Sequence, residues 1–411
     1  MKSSTLFPVL LMGSVVQGYL NLPNVNTTQL LERKMEHKRQ ALGTLTWMIG
    51  KGGKVADPAG AASKKLVMQS PSLVPGAKRI KLRHGPYSIP NMNKKGITGE
   101  AGSLWNYPDT NIAKPCTECT IVAQQAGLEF PDGKNANIDS GLWLHHMVHF
   151  LSGPGRWDPT CLNSPSLPHF DVGATPGNSE RYFSSGNERT FFGMDHAGAD
   201  TKFGYHVKST DKMAFIVDLM NMNMDDKVVY MTMTYDYVDG PLPAGWRDVK
   251  NVWFDVNECG TSEVNPLKQS GKYTIQSKPW TPNFEGEILG VGGHLHDGGV
   301  DLQIQVGGQD NCVSKAGYAE KPEFVFKKMT MGAAAGMAEK HISSMSTCFF
   351  QDQKVTQLLK SQSWQIKGNY DYSAFEGNKD DGKQSSVMGI ALMYVAMKDT
   401  KKPGLSKSKA G

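Results

Sequence analysis

The feature that most constrains this chain is a change of texture near residue 66. Beyond it, apolar residues come in short runs broken by Pro, Gly, Asn and Asp, and helical spacing becomes scarce. Runs of that length, bounded by turn formers, read as strands joined by turns. The clearest are 119–123, 141–150, 214–219, 228–237, 252–255, 300–306 and 387–396. Many strands without intervening helices predict an all-β fold of two tandem β-sandwich, jelly-roll-like domains behind a flexible N-terminal arm. The turn-rich stretch Asp239-Gly240-Pro241-Leu242-Pro243-Ala244-Gly245 divides the body into a first domain over 66–240 and a second over 246–398. Each is of ordinary domain size.

The flanks are different in kind. Residues 1–18 carry Lys2, an apolar run over 6–16 and small or neutral residues before Tyr19. That is the layout of a secretory signal cut near Gly18; a signal anchor is the alternative, but the run is short for a bilayer. Leu30, Leu31, Met35 and Leu42 fall near helical spacing, and a Gly/Ala/Lys-rich stretch follows, so residues 19–65 read as an arm or linker, or a processed pro-segment. Lys401, Lys402, Lys407 and Lys409 mark a basic tail over 399–411 that is expected to be disordered. The sequon Asn26-Thr27-Thr28 offers a glycosylation site, and six cysteines allow three disulfides. Together these features predict a secreted, extracellular protein.

Several function classes are disfavoured. A formal charge of +5 with its basic residues gathered in the flanks is poor evidence for nucleic acid. No other apolar stretch is long enough to cross a membrane. The chain has no Gly-x-Ser-x-Gly elbow, phosphate loop or dinucleotide fingerprint, so hydrolase and nucleotide chemistry lack support.

Histidine placement points elsewhere. In Gly292-Gly293-His294-Leu295-His296-Asp297-Gly298-Gly299, two imidazoles sit one residue apart between paired glycines. In a strand both project from one face and can reach one ion. A second cluster, Trp143-Leu144-His145-His146-Met147-Val148-His149-Phe150, puts three imidazoles into an apolar strand. One isolated histidine there reads as a hydrogen-bonded core residue; three, with a second pair downstream in a secreted chain, favour a metal. Imidazole suits Zn, Cu, Fe and Ni, and added thioether favours copper, above all Cu(I). Methionine is plentiful, at 21 residues. Met220, Met222 and Met224, then Met231 and Met233, alternate in strand register and read first as a soft apolar face. Met388, on spacing alone, reads as core.

The order His145-His146-Met147, then His294-x-His296, then Met388 opening a strand that reaches Tyr394, resembles the copper type II, ascorbate-dependent monooxygenases, the family of peptidylglycine alpha-hydroxylating monooxygenase and dopamine beta-monooxygenase. A closer likeness is to the stress up-regulated nodulin-type proteins of plants and their fungal relatives. It rests on Leu128-Glu129-Phe130-Pro131-Asp132-Gly133 before Leu144-His145-His146, on Met345-Ser346-Thr347-Cys348 and on Val387-Met388-Gly389, and it covers about residues 66–397. It implies two copper ions on two sandwiches facing a shared, wet cleft, with ascorbate or a similar external reductant. His294, His296 and Met388 match the ligands of the copper that carries the C–H chemistry. His145 and His146 match two ligands of the electron-supplying copper, whose third ligand is a histidine in the family. Met220 stands in that position and is itself a candidate ligand, above all for Cu(I), with His149 or His206 as candidate replacement rings. Where the peptide hydroxylase has an arginine and polar residues, this chain has Gly292, Ile390 and Leu392, so peptide amidation is not the expected reaction.

The cysteines read as structural disulfides, since Cys116-x-x-Cys119 has no second CxxC to build a zinc site. Cys312 and Cys348 both lie between His296 and Met388 and are expected to pair. Cys119 with Cys161 and Cys116 with Cys259 complete the expected set, one of fifteen pairings that six cysteines allow. Asp297 and Asp301 read either as acceptors that orient a histidine ring or as turn residues. Glu180 with Arg181, and Glu188 with Arg189, read as loop charges with an acid–base or binding role as the alternative. The expectation is a secreted copper-dependent monooxygenase acting on an unknown substrate. The alternatives are a non-catalytic copper- or ligand-binding protein on the same fold and a structural glycoprotein with incidental histidines.

Overall fold

A computed structural model describes residues 52–94, 101–326, 338–380, 382–399 and 403. The signal segment, the sequon at Asn26, most of the arm and nearly all of the basic tail lie outside these residues. Among the described residues, strands dominate. The first half contributes β1 (Lys78–Ile89), β2 (Ser103–Ile112), β3 (Cys119–Glu129), β4 (Leu142–Ser152), β5 (Ser179–Gly186), β6 (Phe203–Val207), β7 (Lys212–Asn221) and β8 (Lys227–Asp239). The second contributes β9 (Arg247–Asp255), β10 (Lys272–Gln276), β11 (Gly286–Leu295), β12 (Gly299–Val306), β13 (Gln309–Tyr318), β14 (Ile342–Met345), β15 (Thr347–Phe349), β16 (Trp364–Asp371) and β17 (Val387–Met397). Six of the seven apolar runs read from the sequence lie within strands, the seventh does so from Leu142 onward, and the all-β sandwich expectation holds. No helix among the described residues is long and apolar enough to cross a membrane.

Each half packs one sheet on another. In the first, β1-β8-β3-β6 faces β2-β7-β4-β5; in the second, β9-β17-β11-β15 faces β10-β16-β12-β13-β14. Alternation buries one side of every strand between the sheets. Leu144, Met147, Leu151, Phe215, Val217, Met231, Met233 and Tyr235 fill the first core, and Ile288, Val291, Leu302, Ile304, Trp364, Ile366, Met393 and Val395 fill the second. The methionines at 231 and 233 thus serve as adaptable packing, as their alternation suggested.

The halves are tightly joined. β6 and β9 pair in parallel at Phe203↔Arg247 and Gly204↔Asp248, which makes the inner sheets continuous. Tyr394 of β17 packs in the first core, and Trp157 packs in the second against Phe284. Between them lies a buried ionic network. Glu180 accepts from Arg156 Nη1 at 2.9 Å, from Tyr205 and from Lys250 of β9; Arg156 also binds Asp211, and Arg181 Nε donates to Asp158 at 2.7 Å. The pair Glu180 and Arg181, read as loop charges, is therefore interior strand structure. The described end of the arm also docks: Gly53 and Lys54 pair with β1, Lys65–Met68 forms a strand along it, and the Tyr230 hydroxyl donates to Asp57.

The cysteine pairing needs correction. Cys312–Cys348 forms as expected, but the other bridges are Cys116–Cys119 and Cys161–Cys259, not Cys119–Cys161 and Cys116–Cys259. Cys119 opens β3, opposite Val207 and Asp239, and Cys116 sits in the turn before it. Cys161 is carried onto β9, because the Thr160 hydroxyl donates to the Trp253 carbonyl at 2.8 Å, and this brings it to Cys259 just beyond that strand. A bridge between the halves does exist, through Cys161.

Candidate metal centre

The site forms where the outer face of the β2-β7-β4-β5 sheet meets the end of β11. On a regular strand the consecutive residues His145 and His146 would face opposite ways. A register shift prevents this: Asp218 of β7 pairs with His146, and the next residue, Leu219, pairs with Leu144. His145 is thus the extra residue of a bulge, which turns side chains off the regular alternation. Its ring lies 5.1 Å from that of His146 and 4.5 Å from that of His296, centroid to centroid. Ligand nitrogens of His145, His146 and His296 all lie within 4.8 Å of one another. A second combination, His145, His146, Asp218 and Glu263, satisfies the same distance.

Each buried ring is held by one nitrogen and open at the other. His294 Nδ1 lies 3.1 Å from both Glu188 carboxylate oxygens, and His296 Nδ1 lies 2.8 Å from the Ser386 carbonyl. Both partners only accept, so both Nδ1 atoms carry the proton and both Nε2 atoms present a lone pair. His146 uses the other tautomer, with Nε2 donating to Asn106 Oδ1 at 3.0 Å. His146 Nδ1, His294 Nε2, His296 Nε2 and Asp218 Oδ2 are buried with no hydrogen-bond partner. Buried polar atoms are normally satisfied, so the orphaned lone pairs of His146 and His296, in one group with His145, mark a site for an electrophile; His294 belongs to neither group, its ring 5.7 Å from that of His296. An imidazole whose far nitrogen is tied to a carboxylate or carbonyl is the usual metal-binding arrangement. The donor set fits copper.

Backbone details serve the same placement. A Cβ on Gly186 would sit 2.3 Å from His294 Cε1, so glycine is needed for that ring to pack against β5. Asn106 adopts φ of 45°, a costly conformation that places its amide under His146. Tyr370 donates to the Met388 carbonyl at 2.6 Å and accepts from the His296 amide, which locks β11 to β17 beside the rings. Met388 itself is buried against Trp253 and Ile390.

The other expected residues lie elsewhere. Met220 pairs with Trp143 and packs with Ile138, Met222 and Phe326. Replacing it by leucine should cost under about 1.5 kcal/mol and leave bound copper unchanged, as checked by unfolding and metal analysis. His149 is a core ring, 2.8 Å from the Tyr182 hydroxyl, and His206 meets Glu118 at 3.0 Å. Asp297 orients a different histidine, His341, at 2.6 Å, whose ring lies 4.3 Å from that of Trp143. Asp301 accepts from Asn369. Sequence reading missed Asp218, Asn106, Glu188 in its orienting role, and His341; only Glu188 stood in a charge pair that drew notice.

Electrostatics favours the metal-ready form. Burial, then repulsion from His145 and the other rings, pushes the His146 pKa well below its ordinary value; burial with His145 and His294 does the same to His296. Burial alone would raise the Glu188 carboxyl, but His294 beside it holds it below the usual range. Protons compete with metal only when a ring can bind them. As pH falls below the ordinary histidine value these rings stay neutral, so the pH midpoint for copper uptake by metal-free protein should lie well below about 6.5. Equilibrium titration with Cu(II) in a weakly binding buffer measures it, and a midpoint at 6.5 or above contradicts the burial argument.

An all-β protein with a buried imidazole cluster at the junction of two sandwiches is the class that fold and site define. The chain is 27% identical over 330 residues to a protein of Phoma sp. named a probable copper-dependent oxygenase, covering 80% of this chain and 75% of that one. It is likewise 27% identical over 271 residues to a probable copper-dependent oxygenase of Cochliobolus lunatus, covering 66% and 77%. No protein-family model matches the chain. A solved peptide-N(4)-(N-acetyl-beta-D-glucosaminyl)asparagine amidase aligns over 79% of this chain and 98% of its own, at 10% identity and a TM-score of 0.32, too remote to carry an argument.

Proposed function

We propose that this protein is a secreted copper-dependent monooxygenase that inserts one oxygen atom of dioxygen into a C–H bond, using ascorbate or a similar external reductant. The observation that carries the reading is the convergence of His145, His146 and His296 within 4.8 Å, with orphaned lone pairs on His146 and His296. The two relatives named as copper-dependent oxygenases support the metal and the reaction type. Three disulfides fit an oxidising compartment.

Copper would supply the one-electron chemistry that lets dioxygen react. His145, His146 and His296 would hold it, and His294 and Met388, the latter by family likeness, would complete the donor set on the second half. Asp218 would balance its charge. Glu188, Ser386 and Asn106 would fix the ring tautomers. We favour one ion shared by the two halves over the two separated ions that the family likeness implies, since the ligand atoms of His145 and His146 from one half and His296 from the other lie within 4.8 Å of one another.

Non-catalytic copper binding is the second reading. It is favoured by Met220, which stands where the family has a ligand and packs away from the cluster. Oxygen consumption separates the two. Copper-loaded protein given ascorbate, with catalase present to remove peroxide, is expected to consume dioxygen faster with substrate candidates than without. Firmly bound copper with no substrate-dependent consumption across a broad panel would favour the binding protein, and absence of copper would remove both.

A further inference from the structure

Beside the imidazole cluster lies a small cavity that is partly open to solvent. His146 stands in its wall. Apolar atoms make most of its surface, from Val148 and Ile216 of the first half and from Trp253, Met388 and Ile390 of the second, although Asp171, Ser184 and Ser262 are among the polar residues that also line it. Arg181 is one of these. It is 1% exposed, its Nε and Nη2 are engaged by Asp158, Nη2 also reaches Thr160, and its guanidinium lies 4.9 Å over the Trp253 ring. Its Nη1 is buried with no partner at all.

We propose that this cavity is the substrate pocket and that it takes a neutral, largely apolar molecule whose carbonyl-type oxygen accepts a hydrogen bond from Arg181 Nη1. The proposal rests on the oxygenase reading and names its substrate class. A buried N–H left unmet costs as much as a lost hydrogen bond, so an acceptor placed there is strongly selected over a bare hydrocarbon. An anion is disfavoured for two reasons. The Arg181 charge is already matched by Asp158, whose carboxyl is raised by burial but held low by Arg181, His169 and Thr160 together. Asp171 also lines the cavity; burial raises it to about 6, so near pH 7.5 it is mostly ionised and repels a second negative charge.

The test uses three probes of one shape: 4-phenylbutan-2-one, 3-phenylpropanoate and butylbenzene. Binding to the full-length protein is followed at pH 7.5 by tryptophan fluorescence and thermal shift, with metal removed and again with copper loaded. The ketone is expected to bind about tenfold more tightly than either of the others. Arg181→Lys keeps a cation for Asp158 but withdraws the planar fork, and should erase the ketone preference. Ile216→Trp fills the cavity from its wall and should abolish binding of all three. Equal or tighter binding of the carboxylate, no advantage of ketone over butylbenzene, or ketone binding unaffected by Ile216→Trp would overturn the proposal. Because binding is read without metal, a protein that holds no copper refutes the oxygenase reading alone, whereas failure of the probe series refutes the pocket alone.

Discussion

His145→Ala and His296→Ala are expected to remove the same copper ion. The two residues come from opposite halves of the chain, yet their rings lie 4.5 Å apart, and with His146 they form one group of donors. Loss of a mere orienting partner weakens a metal site about 10–100-fold, and loss of a ligand should weaken it by at least the upper end of that range. Each single variant should therefore fall one ion below the wild type after dialysis against a mild chelator, and the double variant should fall no further. If the halves instead hold separate ions, the double variant loses two where each single loses one. Elemental analysis with electron paramagnetic resonance of the Cu(II) form decides between them.

Glu180→Ala is expected to destabilise the metal-free protein by about 3–5 kcal/mol, through a mechanism unrelated to the metal. Glu180 is 1% exposed and balances Arg156 and Lys250, themselves about 2% exposed. Removing the carboxylate leaves two buried cations, of which Arg156 keeps Asp211 as a partner while Lys250 loses the carboxylate it pairs with. Lys250 belongs to β9 and Glu180 to β5, so the loss falls on the junction that holds β4 against β11. Copper affinity should drop together with stability. Urea unfolding reads the first, and adding Lys250→Met should recover part of it by removing the stranded charge. A loss below about 1 kcal/mol would mean that water or rearrangement already screens the network.

Much of the architecture is legible because strands are local. Apolar runs such as 228–237 are short and punctuated by turn formers, so all seven runs read as strands fall on strands, one of them less its first residue. His294 and His296, two residues apart, read as sharing a face, yet only His296 joins His145 and His146. The consecutive pair His145 and His146 was not, and only the bulge opposite Asp218 and Leu219 lets both rings serve one site. Asn106, Asp218 and Glu188 carry no signal as ligand supports, because each acts across a gap closed by pairing between distant strands. The disulfide pattern illustrates the same limit: Cys312–Cys348 lies within one sandwich and was readable, whereas Cys161–Cys259 depends on how the 158–161 turn lands on β9.

By itself, the sequence determined the all-β class, the placement of the strands and the residue types able to bind copper, since alternation and donor chemistry are properties of the local chain. Tertiary structure decided that rings from the two halves converge, that Met220 turns to Trp143 while Asp218 meets the histidines, and that Arg181 is left with one unmet donor beside an apolar cavity. Those outcomes depend on register shifts and on how two sandwiches dock. Both are set by summed packing over many distant residues, which no short stretch encodes.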